Sequence, residues 1–329
     1  MKMRAVIAET PGDVNVLKLM EVDIPDPSDG EVRIRVRARG LNRAESYNRQ
    51  GKHGPFSGKW ALGIEAVGEI DIDPNGVWPK GQKVATAMGG MMFDRHGSYA
   101  DYICVKRENV VPISSALDFE TLATLPEAYL TAWGALDKRM CLSEGDILLI
   151  RGTTTGIGLA ALTYAKHKGA TVVATTRNPD REQRLRELGA DFVVIDGGTI
   201  SETVREHVPG GVDKAIELVG AVTVLDTLNS IRTWGEAAFV GFVGGPPVLE
   251  NFHLMNDLPN TVRLSFFGSG ILGKSGLPLS DAPLDEIANS ISDRDMMHIK
   301  AASFRLAEIR EAHRLMESNE AFGKIVVTE

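Results

Sequence analysis

A glycine-rich turn between an apolar strand and a helix constrains the fold of this chain most strongly. The segment Gly156–Ala161 has the sequence GIGLAA and matches the pattern G-x-G-x-x-G/A. It follows the apolar run Asp146–Ile150 and precedes a predicted helix, Leu159–Lys168, and a second predicted strand, Thr171–Thr175. In this context the glycines allow a tight turn and close approach to a pyrophosphate, and the helix N-terminus favours the anion. The pattern predicts a dinucleotide-binding βαβ unit.

The rest of the chain divides into two kinds of sequence near residue 124. Up to about residue 123, short strands alternate with turn signals, and Val32–Ala38 alternates apolar with basic residues, which predicts a half-buried strand with one wet face. From about 124, apolar strands alternate with helices, which predicts a parallel sheet. Its later strands are expected at Phe192–Ile195, Lys214–Val219 and Ala237–Gly241. A polar helix over 304–318 and a strand, Lys324–Val327, complete the predicted elements.

Composition limits the partners and the compartment. The 329 residues include 36 Lys and Arg against 44 Asp and Glu, a net charge of −8, which argues against nucleic acid as a partner. The two cysteines, Cys104 and Cys141, have apolar neighbours in sequence and fit a reducing compartment. No stretch has the roughly 18 apolar residues of a membrane span. We therefore expect a cytoplasmic protein with a small-molecule substrate and no membrane partner.

The residues after the second strand indicate which dinucleotide binds. An acidic residue about 20 positions after the glycine turn would hold an unphosphorylated ribose. Here the strand end carries a hydroxyl, Thr176, followed by Arg177 and Arg181. A guanidinium group matches a phosphate with two parallel hydrogen bonds, so these residues favour NADPH over NADH. The alternative is that the arginines form a solvated surface.

Further motifs, taken in their order along the chain, resemble the medium-chain dehydrogenase/reductase superfamily, and within it the zinc-independent NADPH:quinone oxidoreductase and enoyl (alkenal) reductase branch. The segments that carry the resemblance are Gly40–Asn42, Gly63–Gly68, Lys80–Val84, Gly97–Tyr102, Leu125–Glu127, Thr131–Trp133, the glycine turn and Gly323–Val326. The resemblance implies an α/β protein in which a GroES-like, β-rich substrate domain is built from residues 1–123 and 269–329. A doubly wound Rossmann domain for NADP then spans 124–268, with the active site in a cleft between the two.

The same resemblance bears on metals. Zinc-dependent relatives carry their catalytic ligands at positions that match Asn42, Ile64 and Glu127 here. Only one of these three binds zinc well, whereas a catalytic zinc needs three protein ligands. We therefore expect no metal.

Two residues of the first motif region are the candidate catalytic residues. In zinc-free relatives the residue matching Asn42 lies beside the nicotinamide and the residue matching Tyr47 lies in the substrate pocket. Asn42 would orient the ring or an acceptor oxygen, and Tyr47 would donate a hydrogen bond or a proton. Asn42 and Glu45 also form a capping-box pattern, so a purely structural role is the alternative. Tyr129 and Glu127 are weaker candidates for the substrate pocket, and Glu127 has a capping or pairing role as its alternative.

The expected cofactor-binding residues fall in two sets. The turn supplies Gly152, Thr153, Thr154, Thr155, Gly156, Ile157 and Gly158. By resemblance the groove is also lined by Thr131, Gly241, Phe242, Val243, Phe267, Gly268, Ser269 and Lys324. Val262–Phe267 is predicted to be an edge strand, which in relatives pairs with its twin in a homodimer.

The functional expectation is an NADPH-dependent reductase of quinones or of α,β-unsaturated carbonyls. The sequence does not choose between these acceptors, because the pocket walls would come from irregular loops such as 52–59 and 88–96. A non-catalytic nucleotide-binding protein of the same fold is a second hypothesis. An alcohol dehydrogenase is a third and is disfavoured by the ligand count.

Overall fold

A computed structural model of the chain describes residues 1–54, 56 and 58–329. The chain forms two compact units. The first, here called the β-rich unit, contains residues 1–130, 269–294 and 299–329, and the second, here called the Rossmann unit, contains residues 131–268 and 295–298.

The described elements follow one another in this order. The strands of the first part are β1 (Lys2–Ala8), β2 (Lys18–Asp23), β3 (Glu31–Gly40), β4 (Trp60–Ala61), β5 (Glu65–Ile72), β6 (Lys83–Ala87), β7 (Tyr102–Lys106) and β8 (Val111–Pro112). The central strands are β9 (Ile147–Arg151), β10 (Thr171–Thr176), β11 (Phe192–Ile195), β12 (Val212–Glu217), β13 (Ile231–Phe239) and β14 (Arg263–Phe266), followed by β15 (Lys300–Arg305) and β16 (Lys324–Thr328). The helices are α1 (Arg43–Arg49), α2 (Phe119–Leu122), α3 (Pro126–Trp133), α4 (Gly156–His167), α5 (Glu182–Glu187), α6 (Ser201–His207), α7 (Ala221–Asn229), α8 (Leu254–Asp257), α9 (Leu284–Ser292) and α10 (Ile309–Ser318).

Two sheets build the β-rich unit. The larger has the strand order β15-β16-β3-β5-β6-β8, with β7 also paired to β3, and the smaller has the order β2-β1-β4. Strand β16 pairs antiparallel with β3, with Val326 opposite Gly40. This pairing brings residues from the two ends of the sequence to neighbouring positions. A buried apolar cluster that includes Val32, Ile34 and Val36 lies against the larger sheet.

The prediction that β3 has one solvent-exposed face of basic residues is wrong in part. Arg35 is exposed, but Arg37 is half-buried and Arg33 is buried. Arg33 is compensated by Asp71, whose Oδ2 accepts from its Nε at 2.7 Å. Basic residues were therefore a poor marker of exposure here, because a carboxylate on a neighbouring strand offsets the cost of burying a guanidinium group.

The Rossmann unit contains a parallel sheet with the strand order β11-β10-β9-β12-β13-β14. The chain moves outward from β9 to β11 and then returns to the other side of β9, so the order reverses between β9 and β12. This is the doubly wound Rossmann topology, in which ligands bind at the carboxyl edge beside the reversal point. The predicted α/β fold class, with a β-rich domain and a doubly wound sheet, is confirmed.

The end of the chain differs from the predicted pattern. The structure begins the helix at Ile309, and residues 300–305 form strand β15 instead. The polar, alternating sequence of this strand is suited to an edge position, where one row of backbone groups remains open.

Strand β14 also lies at a sheet edge, with Phe266 exposed. The homodimer expected through β14 stays a prediction.

Two further observations concern exposure. Cys141, expected among apolar neighbours, is exposed, whereas Cys104 is half-buried and burial raises the pKa of its thiol to about 12. Over the residues that the structure describes, every helix is too short or too polar to cross a bilayer.

Candidate active site

The glycine turn joins β9 to α4 in the Rossmann unit. Gly152 has a φ of +87°, which a residue with a side chain rarely adopts. Thr155 is the N-cap of α4, and its Oγ1 accepts from the N–H of Gly158 at 3.0 Å. A Cβ on Gly158 would lie 2.5 Å from the carbonyl oxygen of Gly152. The turn therefore needs glycine at both positions.

Two buried threonine hydroxyls fix the shape of this turn. Thr153 Oγ1 donates to the carbonyl of Ile150 at 2.6 Å and accepts from the N–H of Thr175 at 2.8 Å. Thr175 Oγ1 accepts from the N–H of Gly152 at 2.9 Å. The hydroxyl of Thr153 therefore has a structural role, while Thr154, Gly156 and Ile157 remain partly exposed.

A fully buried arginine at the end of β9 was missed by sequence reasoning. Arg151 Nε and Nη2 donate to Asp196 at 2.9 and 3.0 Å, and its Nη1 donates to Asp226 at 2.7 Å. Beside it, Thr227 donates to the carboxylate of Glu217 at 2.6 Å. The available signal was a charged residue at the carboxyl end of three apolar strands: Arg151 ends β9, Asp196 follows β11 and Glu217 ends β12. This network stabilises the edge of the sheet at which the glycine turn lies.

The loops after β12 and β13 approach each other closely at the same edge. A Cβ on Gly241 would lie 2.6 Å from the carbonyl oxygen of Leu218, and one on Gly220 would lie 3.0 Å from Cα of Phe242. Val243, the next residue, is exposed. The loop Gly241–Val243 is therefore partly exposed at this edge, while the N–H groups of Gly241 and Val243 are bonded to the carbonyls of Glu217 and Leu218.

The remaining expected groove residues have varied surroundings. Thr131 is buried in α3, and Phe267 is buried with its ring 2.2 Å from the position of a Cβ on Gly134. Gly268 ends the main segment of the Rossmann unit, and Ser269 begins a short 3-10 turn in the β-rich unit.

The residues expected to select the dinucleotide lie at the end of β10 and in the segment that follows it. Thr176 is buried, and its hydroxyl donates to the carbonyl of Asn178 at 3.1 Å. Arg177 is exposed and forms no hydrogen bond or ion pair with any described residue. Arg181 ends a 3-10 turn and is half-buried. The guanidinium group of Arg177 is therefore available to an anion.

These observations fit a dinucleotide. The turn and the N-terminus of α4 lie beside the switch point of the sheet, and the glycines in the loops after β12 and β13 keep side chains away from the same edge. The N–H groups of Gly152 and Gly158 are used within the turn, so these glycines would serve a pyrophosphate by allowing its close approach.

The β-rich unit contains a buried polar cluster around Asn42, which we call the Asn42 cluster (Asn42, Glu45, Glu65 and Lys324). Asn42 is the N-cap of α1, and its backbone N–H donates to Glu45 at 2.6 Å. Its Nδ2 donates to Glu65 at 2.8 Å and to Glu45 at 3.2 Å, and its Oδ1 accepts from Lys324 at 2.5 Å. Asn42 therefore caps the helix and joins two carboxyl groups to one ammonium group.

Lys324 and Glu65 form a buried ion pair within this cluster. Lys324 Nζ lies 2.6 Å from Glu65 Oε1, and Glu65 Oε2 accepts from the backbone N–H of Glu127 at 2.9 Å. Gly40 makes room for the pair, since a Cβ there would lie 2.3 Å from Lys324 Cε. Sequence reasoning gave Glu65 no role. The sequence feature that could have revealed Glu65 is a carboxylate inside the segment Gly63–Gly68, whose other residues are small or apolar.

Burial changes the acidity of the second carboxyl group. Removal from water raises the pKa of Glu45 to about 8; Glu65 adds to this rise, whereas Lys324 and the hydrogen bond from Asn42 oppose it. Burial has the largest effect because Glu45 is wholly enclosed. At neutral pH the cluster is therefore close to electrically neutral, with charges on Lys324 and Glu65.

Tyr47 has different neighbours from Asn42. Its half-buried ring lies edge-on to His53, with 6.1 Å between centroids, and Lys52 Nζ lies 4.9 Å from its centroid.

In the loop 52–59, expected as a pocket wall, Pro55 and Ser57 lie outside the described residues. The loop 88–96 buries Met91 and Met92. Tyr129 is buried in α3, as is Glu127.

A zinc ion does not fit the positions that match its ligands in relatives. The Asn42 amide is bonded to Lys324 and Glu65, and Ile64 has an aliphatic side chain. The ammonium group of Lys324 already supplies a positive charge within the cluster. In the part of the chain that the structure describes, no three His, Cys, Asp or Glu side chains form a potential metal-binding group.

Comparisons with known proteins agree with this architecture. Residues 28–115 match the model of the alcohol dehydrogenase GroES-like domain, and residues 156–276 match that of the zinc-binding dehydrogenases. The quinone oxidoreductase of Sus scrofa is 32% identical over 71% of both chains, and the 2-haloacrylate reductase of a Burkholderia species is 27% identical over 99% of both. The crystal structure of AibC superimposes with a TM-score of 0.86 at 26% identity, covering 99% of this chain and 96% of that one.

The chain belongs to the medium-chain dehydrogenase/reductase family, and its relatives include quinone oxidoreductases. It is therefore an oxidoreductase that uses a nicotinamide cofactor and a small-molecule substrate. The expected family is confirmed.

The raised pKa of Glu45 predicts a pH-dependent stability. An acid whose pKa is higher in the folded state stabilises the fold fully below its ordinary pKa of 4.5, and this contribution is lost as the pH rises to about 8. Relative to Glu45→Gln, the free energy of unfolding of the wild-type protein should fall over this range, with a slope of at most about 1.4 kcal/mol per pH unit. Urea denaturation at a series of pH values measures it.

The control is Glu187→Gln, which changes an exposed carboxyl group on α5. Its curve should run parallel to that of the wild-type protein. Parallel curves for Glu45→Gln as well would show that Glu45 does not titrate in this range.

Proposed function

We propose that this protein is an NADPH-dependent reductase of quinones or α,β-unsaturated carbonyls that works without a metal. The bound cofactor supplies a hydride, and a proton completes the reduction to a hydroquinone or a saturated carbonyl. The observation that carries the proposal is the Asn42 cluster, in which a lysine ammonium group is bonded to Asn42, one of the three positions that match the zinc ligands of relatives.

The preference for NADPH rests on the end of β10. Arg177 is exposed with no partner among the described residues, and no carboxylate follows the strand directly. A free guanidinium group at this place suits a 2′-phosphate, whereas a ribose hydroxyl pair would need an acidic acceptor. Thr176 supports the loop, since its hydroxyl is bonded to Asn178. Arg181 is a further candidate for contact with the phosphate.

The chain's own residues have separate roles in this proposal. The turn from Gly152 to Gly158 binds the pyrophosphate, and Asn42 orients the nicotinamide. Tyr47 donates a hydrogen bond or a proton to the substrate, whose pocket includes Tyr129 and Glu127. Both acceptor classes stay open, because the relatives named above include a quinone oxidoreductase and a 2-haloacrylate reductase.

The direct test is a steady-state assay of the purified protein with NADPH and with NADH. The acceptors are naphthoquinones, benzoquinones, enals, enones and enoyl thioesters. We expect oxidation of NADPH by at least one of these classes, with a higher kcat/KM than for NADH. Tight NADPH binding without turnover of any acceptor would contradict the proposal and favour a non-catalytic nucleotide-binding protein.

Arg177→Ala should weaken NADPH binding selectively. Loss of one charge-assisted phosphate contact costs about 1.5 to 3 kcal/mol, whereas NADH has no 2′-phosphate to lose. Fluorescence titration with both dinucleotides measures the two affinities. Arg184→Ala is the control, because Arg184 is exposed on α5 and pairs with Glu187. Equal losses for NADPH and NADH would place the 2′-phosphate elsewhere.

Tyr47→Phe should lower kcat about ten- to a hundredfold while leaving the Kd for NADPH nearly unchanged. The phenol hydroxyl is the group that would donate to the substrate, and the ring packing against His53 is retained. Tyr102→Phe, at a half-buried tyrosine of β7, is the matched control. If kcat stays at the wild-type value, the Tyr47 hydroxyl has no role in turnover.

A further inference from the structure

The hydrogen-bonding capacity of the Asn42 cluster is used unevenly. An asparagine amide has two N–H donors and one oxygen that can accept twice. Both Asn42 donors are occupied, one by Glu65 at 2.8 Å and one by Glu45 at 3.2 Å. Its oxygen accepts once, from Lys324. Asn42 can therefore accept one more hydrogen bond but has no donor left for an acceptor oxygen.

Lys324, in contrast to Asn42, has a hydrogen-bond donor left over and no acceptor. A lysine ammonium group carries three donors and no acceptor. Among the described residues it bonds to Asn42 Oδ1 and pairs with Glu65 Oε1, so one N–H remains. Glu45 and Glu65 are wholly buried, whereas the side chain of Lys324 keeps 5% exposure and Asn42 is half-buried. Of the four residues in the cluster, only Asn42 and, to a small extent, Lys324 keep any exposed surface.

We propose that Lys324 is a catalytic residue whose remaining N–H donates a charged hydrogen bond to the substrate oxygen that gains negative charge during reduction, with Asn42 and Glu65 as its positioning residues. This rests on the proposed reductase function. It assigns Lys324 to the substrate rather than to the cofactor groove. It also limits Asn42 to accepting a hydrogen bond, for example from an amide group of the nicotinamide.

The surroundings of Lys324 suit this role. Gly40 allows the backbone to pack closely on the ion pair, since a Cβ there would lie 2.3 Å from Lys324 Cε and 2.5 Å from Glu65 Oε1. Glu65 is itself held by the backbone N–H of Glu127 at 2.9 Å. An ammonium group held in this way is oriented before substrate binds, and such donors are most effective where water is excluded. Glu65 balances the charge of Lys324, and the remaining N–H can still donate to an oxygen that gains negative charge.

The test measures the stabilisation of an oxyanion without turnover. The probe is 4-nitrophenol, whose ionised form absorbs at a different wavelength from the neutral form. In the NADP⁺-bound wild-type protein the pKa of the bound phenol should fall by about one unit or more, which is a tenfold preference for the anion. In Lys324→Met this fall should disappear, while the Kd for NADPH stays within about twofold.

The matched control is Lys300→Met. Lys300 lies directly opposite Lys324 in the pairing of β15 with β16, but its ammonium group pairs with the partly exposed Glu120. It should retain both the pKa fall of the phenol and turnover. Where an active acceptor is known, Lys324→Met should lower kcat/KM for that acceptor about tenfold or more, with an unchanged KM for NADPH.

Lys324→Met leaves Glu65 without its cation, which can prevent folding. The double variant Glu65→Gln/Lys324→Met removes both charges and should fold, and it is expected to lose the pKa fall in the same way. A retained fall in either variant, no binding of 4-nitrophenol by the wild-type protein, or a selective loss of NADPH affinity would each overturn the proposal. Loss of the fall in a protein that reduces no acceptor would instead contradict only the reductase function.

Discussion

The buried ion pair between Lys324 and Glu65 is the interaction on which the β-rich unit's site depends. Two charges removed from water are stable only with close geometry and further hydrogen bonds. Asn42 and the backbone N–H of Glu127 supply such hydrogen bonds from two parts of the chain, and Gly40 leaves the space for the pair. The pair thus fixes the start of α1, the end of β3 and the beginning of β16 in one arrangement, and any chemistry at Asn42 is constrained by it.

The Rossmann unit also contains a buried cation, which is the guanidinium group of Arg151. Arg151 is wholly buried, and Asp196 and Asp226 hold its guanidinium group at the carboxyl edge of the sheet. The loops that follow β9, β11 and β12 are therefore tied together by charge as well as by packing. The glycine turn lies among them and is braced by Thr153 and Thr175. Both units use a buried cation to hold flexible loops in position.

The parts of the fold that follow from local pattern were predictable. Three features arise from residues close together in sequence: the apolar strands around the glycine turn, the N-cap at Asn42, and the change near residue 124 from short strands with turns to alternating strands and helices. The buried state of Arg33, strand β15 and the partnership of Lys324 with Glu65 depend on pairings between distant segments. Sequence periodicity carries no information about such pairings. The motif that contains Glu65 was recognised, but the partner of its carboxylate could be identified only in three dimensions.

The pairing of β3 with β16 also bears on the order in which the protein forms during synthesis. Lys324 and Asn42 are separated by 282 positions, and the whole main segment of the Rossmann unit lies between them. Chains grow from the N-terminus, so β3 leaves the ribosome long before its partner exists. Until then the part of its edge at Ala38–Gly40 is open, and Glu65 lacks a counter-ion. The parallel sheet of the Rossmann unit can therefore be complete while the Asn42 cluster still lacks Lys324. During this interval a nascent chain would most need a chaperone.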